Sequence, residues 1–437
     1  MSVVVLSIPG LQQTDLSRMP RVSSLVQAVR PLDPVFPALT LPAQMTIATG
    51  CTPQQHGVVG NGFYWPQRET PDGRGEVEMW TAWNDVVQRP QIWTTLETRT
   101  PHLNTMVWFP LLAKGAKADF ICTPAPIHNP DGSESLWCYS QPEHLYGLLR
   151  DSLGHFPLHK FWGPIAGIEG SDWIVDSAVV AARQAHPELA YIYLPHLDYK
   201  AQSHGPDSPE HQTACGELDT AIGRLVDNWP GPAPTWLVAS EYAISPVVRP
   251  IYPNRLLREG GWLDPVATDD GEHLMPGRQR AWAMADHQIA HVFVADEADT
   301  AAVADLFREQ PGIDRVLTGS TRGMLDHPRS GQVVLVADPD AWFAYYWWLD
   351  DANAPGFART VDIHRKPGYD PVEMFLDRET RQTPLDATLV RGSHGRDDVP
   401  GILASSDADW LPRDRYHQTD IAELLLGHFG MTPEEAA

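Results

Sequence analysis

Residues 34–65, PVFPALTLPAQMTIATGCTPQQHGVVGNGFYW, place a hydroxyl and an amide side chain at spacings that suit attack on a phosphate. The apolar VFPALT ends at Thr40, and the helix-compatible AQMTIATG follows. Thr40 therefore falls at a predicted helix N-terminus. There the unpaired N–H groups and the helix dipole favour negative charge, such as an alkoxide or a phosphate oxygen. After the turn CTPQQHG, Asn61 stands in a Gly-Asn-Gly and can return an amide donor to the same place. The flanking glycines let the backbone come close. Singly, the two residues read as a cap and a turn residue; the chemistry rests on the whole string.

The stretch FPALTLPAQMTIATGCTPQQHGVVGNGFY resembles the nucleophile segment of the type I phosphodiesterase / nucleotide pyrophosphatase family, within the alkaline phosphatase superfamily. The resemblance implies that Thr40 attacks phosphorus and that Asn61 contacts a phosphate oxygen. It further implies two divalent ions, which would lower the nucleophile's pKa and neutralise developing charge. Here the ligand pattern departs from the family. The first strand ends in Pro9-Gly10-Leu11 where an Asp-Gly-Leu is expected, and proline offers no side-chain donor. In LPHLDYKAQSHGPDS, Asp198 matches a ligand Asp, but Gln202 stands at a His position, with His204 two residues on as a substitute. In SEYAI, Glu241 and Tyr242 replace an Asp-His pair, and in GSHGRDD, His394 matches a late ligand His. The implied set is one divalent ion rather than two, held by Asp198, Gln202 and His394, with Glu241 as the altered remnant of the second site. Zinc is the family's ion, and a neutral Gln oxygen suits magnesium or manganese better. The Tyr242 hydroxyl is then expected on a phosphate oxygen.

Two further strings carry candidates. MADHQIAH offers Asp286, His287 and His291; the two histidines have a helical ligand spacing in a context that reads as strand. TVDIHRKPGYD packs Asp362, His364, Arg365 and Lys366 into one turn. A cationic pair there can hold a phosphate in place of a lost ion, although such runs are ordinarily solvated loops. The expected function is a metal-dependent phosphoesterase of phosphodiesterase or nucleotide pyrophosphatase type, a hydrolase of phosphoric ester or phosphoanhydride bonds. The alternatives are a degenerate, non-catalytic phosphate-ester-binding relative and a phosphotransferase of the same superfamily.

These residues need a scaffold. The β-branched run from Val3 to Ile8 suits a strand buried on both faces of a parallel sheet. NTMVWFPLL (104–112), YIYLP (191–195) and TWLVAS (235–240) read as further core strands, and 171–190 and 213–229 as amphipathic helices between them. Alternating helix and strand predicts an α/β chain with a mostly parallel central sheet and helices on both faces. The resemblance specifies it as an alkaline-phosphatase-like α/β/α sandwich, a single domain over 1–437. From 246 to 390 the texture changes to short strands and heavy aromatics, which predicts an inserted cap-like region. There GQVVLVAD and AWFAYYWWLDD read as an antiparallel hairpin. Residues 120–160 read as loop-rich, and YHQTDIAELLLGHFG as a closing helix.

Composition sets outer bounds. A chain of 437 residues, 43% hydrophobic and 20% charged, buries an ordinary large core. With 56 acids against 32 bases the net charge is −24, which argues against a nucleic-acid polymer or an anionic membrane as partner. A phosphorylated small molecule remains the expected substrate. Cys51, Cys122, Cys138 and Cys215 show no C-x-x-C, so neither a zinc ribbon nor a disulfide framework is indicated. With no leader-like segment at its start, the chain is expected in the cytoplasm.

Overall fold

Strand β1 (Val3–Ile8) sends Val4, Leu6 and Ile8 into one apolar core and Val3 and Val5 into another. A strand apolar on both sides belongs in the middle of a sheet covered on both faces. The computed structural model, which describes residues 2–70, 73–100, 102–128 and 134–431, puts it there. The main sheet continues with β2 (Ala28–Asp33), β3 (Thr105–Trp108), β4 (Phe120–Pro124), β5 (Cys138–Gln141), β6 (Leu189–Tyr193) and β7 (Thr235–Ser240). The chain then leaves for a second sheet, β8 (Ala281–Asp286), β9 (Ile289–Val294), β10 (Ile313–Thr318) and β11 (Val333–Ala337). It returns with β12 (Gly401–Ser405) and β13 (Tyr416–His417).

The spatial order of the main sheet is β13-β2-β12-β7-β1-β6-β3-β4-β5. Strands β7, β1, β6, β3 and β4 run parallel, while β12 lies antiparallel between β2 and β7, and β5 closes the far edge antiparallel to β4. Helices α1 (Thr40–Thr49) and α5 (Asp420–His428) bury Ile47, Ile421 and Leu425 against the Val3/Val5 face. On the opposite face, α2 (Ile168–Ala185) and α4 (Pro209–Asn228) bury Ile174, Leu218 and Ile222, and the short α3 (His196–His204) adds Leu197. The chain is thus an alkaline-phosphatase-like α/β/α fold with a mostly parallel central sheet.

Registers Ser7↔Tyr193 and Ile8↔Ser240 bring the carboxyl ends of β1, β6 and β7 to one edge. Ligands of open α/β sheets bind at that edge. Two local readings are corrected, and one open stretch is defined. Residues 120–160 contain β4, β5 and a helix, Leu145–Leu153, rather than mainly loop. The stretch after β6 is helical, which sets Asp198 and Gln202 one turn apart on a common face of α3. Ala341–Phe343 does not form a hairpin with β11: it pairs in parallel with Arg249–Ile251, while β11 pairs with β9 and β10. The turn Asp338-Pro339-Asp340 redirects the chain between them. Among the described residues no helix is long and apolar enough to cross a membrane.

Candidate active site

Leu39 is extended, at φ −122° and ψ 157°, and Thr40 is the first helical residue of α1. Pro42 sits in the first turn, where its missing N–H costs nothing. The Thr40 hydroxyl lies 3.0 Å from the Tyr242 hydroxyl, which donates to Asp198 Oδ1 at 3.3 Å. Gln202 Nε2 donates to the other Asp198 oxygen at 2.8 Å, and Tyr369 donates its hydroxyl to Gln202 Oε1 at 2.6 Å. Four elements thus converge: the start of α1, one face of α3, the residues after β7, and the segment carrying Tyr369.

The rings form a column. Tyr242 stacks on His394 with centroids 3.6 Å apart, His394 meets His287 at 3.8 Å, and His287 stacks on Tyr369 at 3.8 Å. His394 Nδ1 donates to the Ala38 carbonyl at 2.7 Å, which fixes the tautomer and leaves Nε2 as a lone-pair nitrogen. That Nε2 is buried without a partner, and burial holds the ring well below the ordinary histidine range, so it is neutral.

Asn61 closes the other side. Its Oδ1 accepts from Leu41 N at 3.0 Å, its Nδ2 donates to Asp286 Oδ1 at 2.9 Å, and its backbone N–H donates to Asp286 Oδ2 at 2.8 Å. His287 Nδ1 lies 2.9 Å from Asp286 Oδ1. His287 occupies the β8–β9 turn at φ +59°, pinned by Gln288 N donating to His394 O and Phe343 N donating to His287 O. Thr40 is only 4% exposed and Asn61 fully buried, so second-sheet side chains cover the site.

The structure brings Thr40, Asn61, Asp198, Gln202, Tyr242 and His394 together, and it takes other expected residues elsewhere. Glu241 is held by one oxygen at the strand end: its Oε1 accepts from Ser7 Oγ at 2.7 Å and Gln44 Nε2 at 3.0 Å. Burial pushes its carboxyl up to about 8, and its Oε2 is buried without a partner. Lys366 does not reach out to a phosphate. It is buried against Asp370 Oδ2 at 2.8 Å and Glu373 Oε1 at 2.6 Å, with Thr360 O as a third partner. Arg365 points to solvent, paired with Asp362 and lying over Phe357, and His364 is exposed in the same turn. The cationic turn is an internal clasp because Asp370 and Glu373 fold back on it. His204 ends α3, exposed and bonded to Ser203. His291 on β9 spans Val59 O and Gly331 N, a packing role.

Tyr369 joins the site although sequence reasoning does not single it out; its local signal is the Pro-Gly before it. Gly368 packs its backbone on Ala285, where a Cβ would meet Ala285 O at 2.8 Å, and Tyr369 N donates to Ala285 O.

Of the two-ion donor set that the resemblance implies, Pro9 offers no side-chain donor, the Tyr242 hydroxyl lies between Thr40 and Asp198, and Glu241 keeps only Oε2 without a partner. One ion does fit the chemistry. Asp198 is pushed up to about 7 by burial, and the groups bonded to it are neutral. A carboxylate in that state lacks a counter-charge, and the orphaned His394 Nε2 is a second donor ready to ligate. Gln202 supplies an amide oxygen once its head group is turned. Elsewhere, one triad of described residues, Asp15, His211 and Cys215, also has donor atoms at cation-site spacing.

Known proteins share this fold. Over the full fold the chain is similar to phosphonoacetate hydrolase from Sinorhizobium meliloti bound to phosphonoformate, at TM-score 0.60 and 17% identity, covering 100% of this chain and 96% of the other. It is likewise similar to murine ectonucleotide pyrophosphatase / phosphodiesterase 5, at TM-score 0.60 and 15% identity, covering 99% and 96%. An uncharacterised pyrophosphatase/phosphodiesterase from Schizosaccharomyces pombe is 25% identical over 233 residues, 52% of this chain; the chain spans only 40% of that relative. The family model for type I phosphodiesterase / nucleotide pyrophosphatase matches residues 3–370, a span that runs from β1 through Thr40 and Asp198 to Tyr369. That match covers most of the chain and leaves only His394 of the ring column beyond it, so the chain belongs to the type I phosphodiesterase / nucleotide pyrophosphatase family of hydrolases.

Proposed function

We propose that this chain is a phosphoesterase that cleaves a small phosphodiester or phosphoanhydride with Thr40 as nucleophile. The observation that carries this reading is the unbroken contact from Thr40 Oγ1 through the Tyr242 hydroxyl to Asp198 Oδ1. Tyr242 donates to Asp198 and accepts from Thr40, so the threonine proton points away from the incoming phosphorus and a lone pair is left to attack. As the Thr40 Oγ1–P bond forms and the bond from phosphorus to the leaving oxygen breaks in line, the threonine proton passes into this relay. Water then cleaves the phospho-threonine and the relay returns the proton. A divalent ion held by Asp198, His394 and Gln202, zinc or manganese/magnesium, would supply positive charge to the phosphate oxygens. Asn61 donates to an equatorial oxygen after releasing Asp286.

The segment 246–390 serves as the cap, since Asp286, His287 and Tyr369 all come from it and must move aside for substrate. Support for the nucleophile comes from the murine neighbour, whose threonine-to-alanine variant is named inactive and holds AMP. All four cysteines are free, which suits a reducing compartment such as the cytoplasm.

A second reading, a non-catalytic phosphate-ester binder, is favoured by the burial of Thr40 and by the commitment of the Asn61 amide to Asp286. Turnover of a chromogenic phosphodiester and of a dinucleotide separates the two. The expected result is activity lost on chelation, restored by manganese or zinc, and lowered about a thousandfold or more in Thr40→Ala. Turnover surviving in Thr40→Ala removes the covalent scheme. An inert wild-type chain that still binds AMP supports the second reading.

A further inference from the structure

Away from Thr40, three buried side chains converge with no part in the reaction above. Asp15 lies in the turn Gln13–Arg18 after β1, and His211 and Cys215 lie one turn apart on α4. They are 3%, 1% and 0% exposed. His211 Nε2 is 3.2 Å from Asp15 Oδ1 and 3.7 Å from Cys215 Sγ, and the three donor atoms all lie within 4.8 Å of one another.

The Asp15 carboxylate faces both the His211 Nε2 and the Cys215 thiol, so three donor groups of different kinds converge on one point. The other His211 nitrogen, Nδ1, is buried without a partner. Tetrahedral coordination at zinc bond lengths separates a nitrogen from an oxygen ligand by about 3.3 Å and from a sulfur ligand by about 3.6 Å. Those are nearly the separations seen. The charges also close: a carboxylate, a thiolate and a neutral imidazole around a divalent ion sum to zero, and the fourth tetrahedral position is left to a water. Gln12 N donates to Asp15 Oδ2 at 2.8 Å and so orients the carboxylate from behind. Arg18 stands 4.0 Å from Asp15 Oδ1, but its side chain is 35% exposed and free to swing outward.

We propose that Asp15, His211 and Cys215 bind one divalent cation of the zinc class, separate from the Thr40 centre, which pins the turn after β1 to α4. Binding takes Cys215 as the thiolate and releases its proton.

Cobalt(II) tests this on the intact chain. Metal-stripped protein reloaded with cobalt is expected to show thiolate-to-cobalt charge-transfer absorption in the near ultraviolet at one equivalent. The band should vanish in Cys215→Ser and in Asp15→Asn, and persist in His394→Ala, because the Thr40 centre contains no thiol. Circular dichroism checks that each variant is folded. No thiolate band in the wild type, or the same band in Cys215→Ser, overturns the proposal.

Discussion

At the scale of single residues, Glu241 makes a prediction of definite sign. Its carboxyl is lifted to about 8 from the ordinary 4.5, because burial outweighs the hydrogen bonds from Ser7 and Gln44. The folded chain therefore keeps a proton that the unfolded chain releases between those two values. Stability contributed by this group falls as pH rises through that window, by up to about 1.4 kcal/mol per pH unit. Glu241→Gln should flatten the dependence, read as urea midpoints at pH 5 and pH 8; an unchanged slope would mean that Glu241 titrates normally. Tyr242→Phe keeps the stack on His394 and deletes only the hydroxyl. The expected outcome is a fall in kcat of about a hundredfold with KM little changed. A KM effect alone would place Tyr242 in substrate binding.

At the scale of elements, what the sequence disclosed follows how local each arrangement is. Thr40 and Asn61 were readable because a helix start and a glycine turn are short-range events marked by Pro, Gly and His at fixed offsets. Asp198 and Gln202 were readable by position, although their common face appears only once the segment is known to be helical. Glu241 was placed correctly at the end of β7, but the side to which it points is decided by Ser7 and Gln44, distant in sequence. Tyr369 and His287 reach Gln202 and His394 only because a second sheet docks there, and no local pattern encodes docking. The turn around Lys366 looked cationic for the same reason: the charges were visible, the returning carboxylates were not. That turn now carries its own prediction. Lys366→Met strands Asp370 and Glu373, which share the buried ammonium at 2.8 and 2.6 Å. The chain should lose about 3–5 kcal/mol, measured by chemical denaturation. A loss under about 1 kcal/mol would show the pair to be solvated in the folded state.

At the scale of the molecule, a net charge of −24 opposes the approach of an anionic phosphate ester. Salt screens that repulsion. With a doubly charged substrate, kcat/KM should therefore rise between low and physiological ionic strength, the reverse of the trend for a basic enzyme. A fall would point to a local positive funnel around the cap. The sheet order has a consequence of another kind. Strand β12, residues 401–405, is wedged between β2 and β7. During synthesis the ribosome delivers β2 and β7 long before it, so the emerging polypeptide carries two raw edges where the centre of the sheet should be. His394 arrives on the same late segment. The sheet edge beneath the candidate site and its last imidazole are thus completed in one closing event, and a chain cut short before that point gains neither.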